Sequence, residues 1–173
     1  MSVEIRTAAE ILTPDRAGAW EARRAQRDDP VLRAIWRAFV DTGGPVSLEA
    51  VSRVLRELTV DVLRTRASAL DGADLIGLEG ERVVLAYPFT AEPNDFEVIL
   101  PGGRRRFACC AIDALGVAPM LGAPVTVRSR CHRSGDPLVL DVDPEAGPLG
   151  APAGIVAWVE RGRWGGDRLS GFL

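Results

Sequence analysis

Cys110 and Asp113 lie three positions apart in the run Cys109-Cys110-Ala111-Ile112-Asp113-Ala114-Leu115. On a helix, that spacing puts both side chains on one face. A thiol near a helix N-terminus has a lowered pKa, because the helix dipole favours the thiolate. A carboxyl group partly buried beside a thiolate shifts the other way and holds a proton near neutral pH. The pair therefore offers a soft nucleophile or metal ligand with a proton donor at its side. Cys109 is the adjoining candidate, which makes Cys109, Cys110 and Asp113 the possible metal ligands. A plainer reading stands beside this one: free cysteine is among the most buried residue types, and a cysteine on an apolar helix often only fills the core.

Other residues carry weaker signals. His132 is the single histidine and adjoins Cys131. No second pair follows at zinc-finger spacing, so structural zinc is not expected. Arg104-Arg105-Arg106 reads as a solvated turn, or as an attractor for an anion. Arg64 and Arg66 would face a groove if their helix read DNA. Trp158 and Trp164 read as core or rim packing. The net charge of -3 and pI near 5.3 argue against a nucleic-acid binder, which normally carries a basic excess. All 21 cationic residues are Arg.

No apolar run approaches the roughly 18 residues of a membrane span. The N-terminal MSVEIRTAAEIL has no apolar signal core, so a cytoplasmic protein with no membrane partner is expected. Three cysteines are an odd number, and in a reducing compartment they read as free thiols or ligands. Cys109 and Cys110 are neighbours, and adjacent cysteines rarely pair with each other for geometric reasons.

The elements that must position the pair follow from caps and periodicity. Short helices are expected at Ala8–Leu12 and Trp20–Arg27. Asp29-Pro30 opens a clearer helix with Asp29 as N-cap, and Val31, Leu32, Ile35, Trp36, Phe39 and Val40 form its apolar stripe. Gly43-Gly44 stops it. Ser47 caps a second helix with Leu48, Val51, Val54, Leu55 and Leu58 on one face. A third runs from about Val62 to Leu70, with Leu63, Ala67 and Leu70 inward. Leu75–Leu78 and Val83–Tyr87, joined at Glu79-Gly80-Glu81, read as a β-hairpin. Three helices and a hairpin are the order of a winged helix.

Pro88 to Pro93 reads as a linker. A strand holding Phe96, Val98 and Leu100 follows, then a turn at Gly102-Gly103 and a helix from Phe107 to Leu115, broken near Gly116 and Pro119. Val125 to Ser129 and Leu138 to Val142 alternate as partner strands around Gly135-Asp136-Pro137. Pro148 to Pro152 reads as loop and Ile155–Val159 as a last strand. The expected fold is α+β. A winged-helix-like three-helix unit (1–87) precedes a small mixed or antiparallel sheet domain that carries the cysteine helix (88–173).

Several stretches resemble the alkylmercury lyase family. In order they are Tyr87-Pro88-Phe89-Thr90, Phe107 to Gly116, Pro119-Met120-Leu121-Gly122, Val127-Arg128-Ser129-Arg130-Cys131, Gly135-Asp136-Pro137 and Pro152-Ala153-Gly154. The resemblance is close from about Pro88 to Trp158 and loose over the N-terminal helices. The family begins with a winged-helix-like unit that does not bind DNA. It cleaves the carbon–mercury bond of organomercurials to hydrocarbon and Hg(II), using no other cofactor.

The resemblance implies that Cys110 is the catalytic cysteine that captures mercury. It makes Asp113 the catalytic carboxylate that takes up and delivers the proton, and Cys131 a structural cysteine. The family's second catalytic cysteine falls near Phe172-Leu173, and no cysteine follows Cys131. Cys109 or Cys131 would have to replace it. Two alternatives stay open: a divergent member that binds a soft metal or acts on another small molecule through the same pair, and a winged-helix, metal-responsive regulator.

Overall fold

The computed structural model describes residues 25–150 and 155–157, together with 10, 18 and 21. Helix α1 (Pro30–Thr42) starts where Asp29 Oδ1 accepts the backbone N–H groups of Val31 and Leu32, at 2.8 and 3.2 Å. Pro30 sits at its first position, where a missing N–H costs nothing. The chain leaves α1 through Gly43 at φ 87°, left-handed backbone that glycine adopts freely. Strand β1 (Val46–Ser47) leads into helix α2 (Leu48–Val54), capped by Ser47. Helix α3 (Val60–Gly72) is capped by Thr59. Val31, Leu32, Ile35, Phe39, Leu48, Val51, Leu63, Ala67 and Leu70 bury together as the core of these helices.

A single antiparallel sheet runs through the rest. Its strands are β2 (Ile76–Glu79), β3 (Arg82–Ala86), β4 (Phe89–Thr90), β5 (Glu97–Ile99), β6 (Arg105–Ala108), β7 (Val125–Arg130), β8 (Pro137–Asp143) and β9 (Gly147–Leu149). The order is β1-β3-β4-β6-β5-β7-β8-β9, with β2 also on β3. Helix α4 (Ala111–Leu121) packs on one face. Its Ala114, Val117 and Ala118 join Val98, Ala108, Val125, Val127 and Val142 in the core. On the opposite face the Arg105 guanidinium bonds Glu97, with Arg128 3.8 Å from the same carboxylate, and Thr126 bonds Asp141.

Several expectations shift. Val54 is 64% exposed, because α2 ends there and its last turn leaves the core. The expected linker contains β4, whose pairing with both β3 and β6 carries the sheet across it. Arg105 to Ala108 is a strand, so the cysteine helix begins later than its apolar pattern implies. That helix then continues through Gly116 and Pro119 to Leu121. Burial of Ala114, Val117 and Ala118 offsets the hydrogen bond that Pro119 cannot donate. The expected loop at 148–152 holds the end of β9, and Ile155 to Ala157 are exposed and irregular, not strand. The helices expected before Asp28 fall largely, and Trp158 and Trp164 wholly, outside the described residues.

Arg106 ties the two ends of the fold together. It is only 8% exposed, and its Nε donates to the Val40 carbonyl at the end of α1, at 2.9 Å. Arg104 bonds Asp41 nearby. Arg104 and Arg106 thus clasp the sheet to the helix, while Arg105 stays exposed on the other face.

The turn after α1 is packed tightly enough to test. A Cβ on Gly44, which lies at φ 71°, would sit 2.5 Å from Phe39 Cε1, and Phe39 is fully buried. Gly44→Ala is expected to cost about 1–3 kcal/mol of stability, read as a lower urea midpoint at unchanged slope; an unshifted midpoint would contradict this contact.

Candidate active site around Cys110 and Asp113

The strand β6 becomes the helix α4 within two residues, Cys109 and Cys110. The peptide entering that transition is held on both sides. Its N–H, on Cys109, donates to the Pro88 carbonyl at 2.9 Å. Its carbonyl, on Ala108, accepts from Asn94 Nδ2 at 2.9 Å. Asn94 Oδ1 accepts the Phe96 N–H at 2.8 Å, and Ala108 N–H returns to the Phe96 carbonyl. Beyond the transition, the Cys110 carbonyl accepts the first helical hydrogen bond, from Ala114 N–H at 2.9 Å.

Cys110 is the N-cap of α4, in extended backbone at φ -157° and ψ 177°. Its Sγ accepts the Asp113 N–H at 3.4 Å, and the thiol donates to Asp113 Oδ2 at 3.0 Å. Sulfur takes the place of the usual cap hydroxyl, and the Asp113 carboxylate meets the thiol itself rather than the backbone N–H that a capping box would use. The two side chains expected to work together are in contact. They meet because one caps the helix and the other sits in its first turn, not because both lie on a helical face.

The protonation of Cys110 runs opposite to expectation. Burial, then the negative charge of Asp113, pushes the thiol up to about 12. Backbone N–H groups of Asp113 and Ile112 pull the other way and are outweighed. The dipole argument is sound for a solvated sulfur but omits desolvation, which dominates here. At neutral pH the proton therefore rests on sulfur and points at a carboxylate oxygen. That is a stored proton with an acceptor already in contact.

The other cysteines are placed differently. Cys109 is 4% exposed, and burial raises its thiol further still. Cys131 lies where β7 turns toward β8. The Ser134 hydroxyl, with backbone N–H groups of Ser134 and Arg133, lowers its thiol below the usual range. All three thiols are free. Among the described residues, no group of three or more His, Cys, Asp or Glu side chains could hold a metal ion. Cys109 thus does not join Cys110 and Asp113 in a three-ligand set, and His132 completes no cluster with Cys131. Asn94 and Arg106 were not singled out from sequence as partners of this region. The alternation of Arg106 with Ala108 is the signal that would have marked the strand and turned Arg106 inward.

Raising a thiol pKa links it to stability. The folded state holds a proton on Cys110 that the unfolded chain, with an ordinary value of 9.0, releases first. Cys110 therefore contributes stability fully below about 9, and loses it as pH rises toward about 12. Asp113→Asn removes the adjacent negative charge and is expected to lower the Cys110 pKa. The midpoint of Cys110 alkylation against pH measures it; a midpoint that stays or rises would remove Asp113 as a cause.

Comparison with known proteins bears on this site. Residues 89–166 match the family model described as MerB, alkylmercury lyase. An alkylmercury lyase of Bacillus cereus is 33% identical over 67 residues, covering 39% of this chain and 29% of that protein. One of Pseudomonas putida is 37% identical over 68 residues, covering 39% and 31%. One of Streptomyces lividans is 28% identical over 114 residues, covering 64% and 51%. The chain thus spans between 29% and 51% of these relatives' lengths. A crystal structure of the mercury-bound form of MerB2 aligns with a TM-score of 0.57 at 23% identity, covering 72% of this chain and 61% of that one, a likeness of fold.

Proposed function

We propose, from the match of residues 89–166 to the alkylmercury lyase family model and the likeness to alkylmercury lyases, that this chain cleaves the carbon–mercury bond of organomercurials by protonolysis at Cys110 and Asp113. The observation that carries the reading is the 3.0 Å contact from the Cys110 thiol to Asp113 Oδ2. Mercury(II) is a soft ion, and thiolate is its preferred ligand. As the Cys110 sulfur bonds the mercury of R–Hg⁺, its proton passes to Asp113. Sulfur donation loads electron density onto the metal and weakens the carbon bond. Asp113 then returns the proton to the departing carbon. The products are the hydrocarbon R–H, an ionised Asp113 and Hg(II) on the Cys110 thiolate. A thiol from solution supplies the further sulfur and carries the Hg(II) away.

In this reading residues 1–87 form a winged-helix-like unit and residues 88–173 a catalytic core, the two sharing one sheet, in a cytoplasmic protein. The ligand is a small molecule rather than nucleic acid. Arg64 is engaged by Glu81 and Asp61, and Arg66 by Asp29, which supports that choice. Among the described residues no helix is long and apolar enough to cross a membrane. A second reading, soft-metal binding without cleavage, draws support from Cys110 being the one thiol bonded to Asp113 among the described residues.

The purified chain, incubated with phenylmercuric acetate and excess thiol, is expected to release benzene. Asp113→Asn is expected to slow release by about 100-fold or more, and Cys110→Ser to abolish it. Absence of release from the wild type, alongside tight Hg(II) binding lost in Cys110→Ser, would replace cleavage with metal binding. Unchanged turnover in Cys110→Ser would remove that residue from the mechanism.

A further inference from the structure

We infer that Asn94 is a positioning residue for the Cys110 sulfur, acting through the peptide that joins Ala108 to Cys109. This rests on the Cys110–Asp113 reading and extends it to a residue that touches neither.

The geometry is specific. The Ala108–Cys109 peptide is the last backbone unit before the cysteine pair. Its N–H and its carbonyl leave on opposite edges, and each finds one partner, the Pro88 carbonyl and the Asn94 side-chain amide. The first partner is main chain. The second is a side chain, in a loop outside the strands. From this clamped unit to the first helical hydrogen bond, accepted by the Cys110 carbonyl, there are only two residues. The Cys110 side chain is thus set by the sheet on one side and the helix on the other. Its sulfur must reach Asp113 Oδ2 and the Asp113 N–H at once. A small rotation of the Ala108–Cys109 plane swings Cys110 away from both.

Asn94 suits this role chemically. An amide side chain carries a donor and an acceptor in fixed relation. Here the donor takes the Ala108 carbonyl and the acceptor takes the Phe96 N–H. Because Ala108 N–H also bonds the Phe96 carbonyl, the amide closes a ring of hydrogen bonds around the end of β6. Asp at this position would keep the acceptor and lose the donor. Asn94 itself is exposed, so replacing it leaves the core untouched.

The test compares full-length wild type with Asn94→Ala and Asn94→Asp. Brief labelling by N-ethylmaleimide near neutral pH is mapped to each cysteine by peptide mass spectrometry. Loss of the clamp frees the thiol from Asp113 and opens it to solvent. Cys110 is expected to label roughly two- to tenfold faster relative to Cys131 in both variants, while Cys109 stays protected. With phenylmercuric acetate, kcat for benzene release is expected to fall by a similar factor at unchanged KM. An unchanged ratio of Cys110 to Cys131 labelling would overturn the assignment. So would equal acceleration of Cys109 and Cys110, which marks general loosening rather than a displaced sulfur. Preserved labelling kinetics in Asn94→Asp alone would also overturn it, since the donor would then be dispensable. A wild type that releases no benzene overturns cleavage and leaves the labelling result to decide on Asn94.

Discussion

A strand must become a helix in the space of two residues, and most of the described structure answers that demand. β6 arrives in register with β4 and β5, and α4 leaves across the same sheet face that β6 helps to form. The turn between them cannot be long, because Ala108 and Ala114 are both fully buried. Backbone groups at such a junction would be left without partners if the chain did not supply them. Cys110 supplies one partner by capping the helix. The Pro88 carbonyl and the Asn94 amide supply the others. The Cys110–Asp113 contact is thus built from the same interactions that close the junction.

This economy explains why the sulfur is protonated. A serine cap would be satisfied as a neutral hydroxyl, and the same environment treats a thiol in the same way. Burial withholds the water that a thiolate needs, and Asp113 adds a repelling charge. The pair is consequently at rest in its neutral-thiol form. Charge separates only when something takes the place of the proton on sulfur. In the proposed reaction a soft cation takes that place, binding the sulfur as its proton passes to the Asp113 carboxylate in contact with it.

The helical part of the fold was readable because its signals are local. Asp29-Pro30, Ser47 and Gly43 each mark a helix end by their own chemistry, and the inward faces of α1 and α3 follow from spacing alone. The hairpins at Gly80 and Gly135 were readable for the same reason. β4 and β9 were not, because strands of two and three residues are made by their partners rather than by any pattern of their own. β6 was hidden for a different cause. Its apolar residues run straight into those of α4, and its arginines look solvated until α1 is placed beside them. The Cys110–Asp113 contact was legible from spacing, whereas the direction of the thiol shift depends on tertiary burial.

The passage of the sheet from β3 through β4 to β6 bears on how the chain can be divided. β4 is only two residues long, yet it is paired on both sides. A cut between Ala86 and Phe89 would leave the edge of Leu85 and Ala86 in β3 unpaired on one piece and the facing edge of Phe89 and Thr90 in β4 unpaired on the other. Open edges of that kind recruit whatever strand they meet. The halves would be sticky fragments rather than modules, and an engineer wishing to graft the cysteine site elsewhere would have to carry the neighbouring hairpin with it.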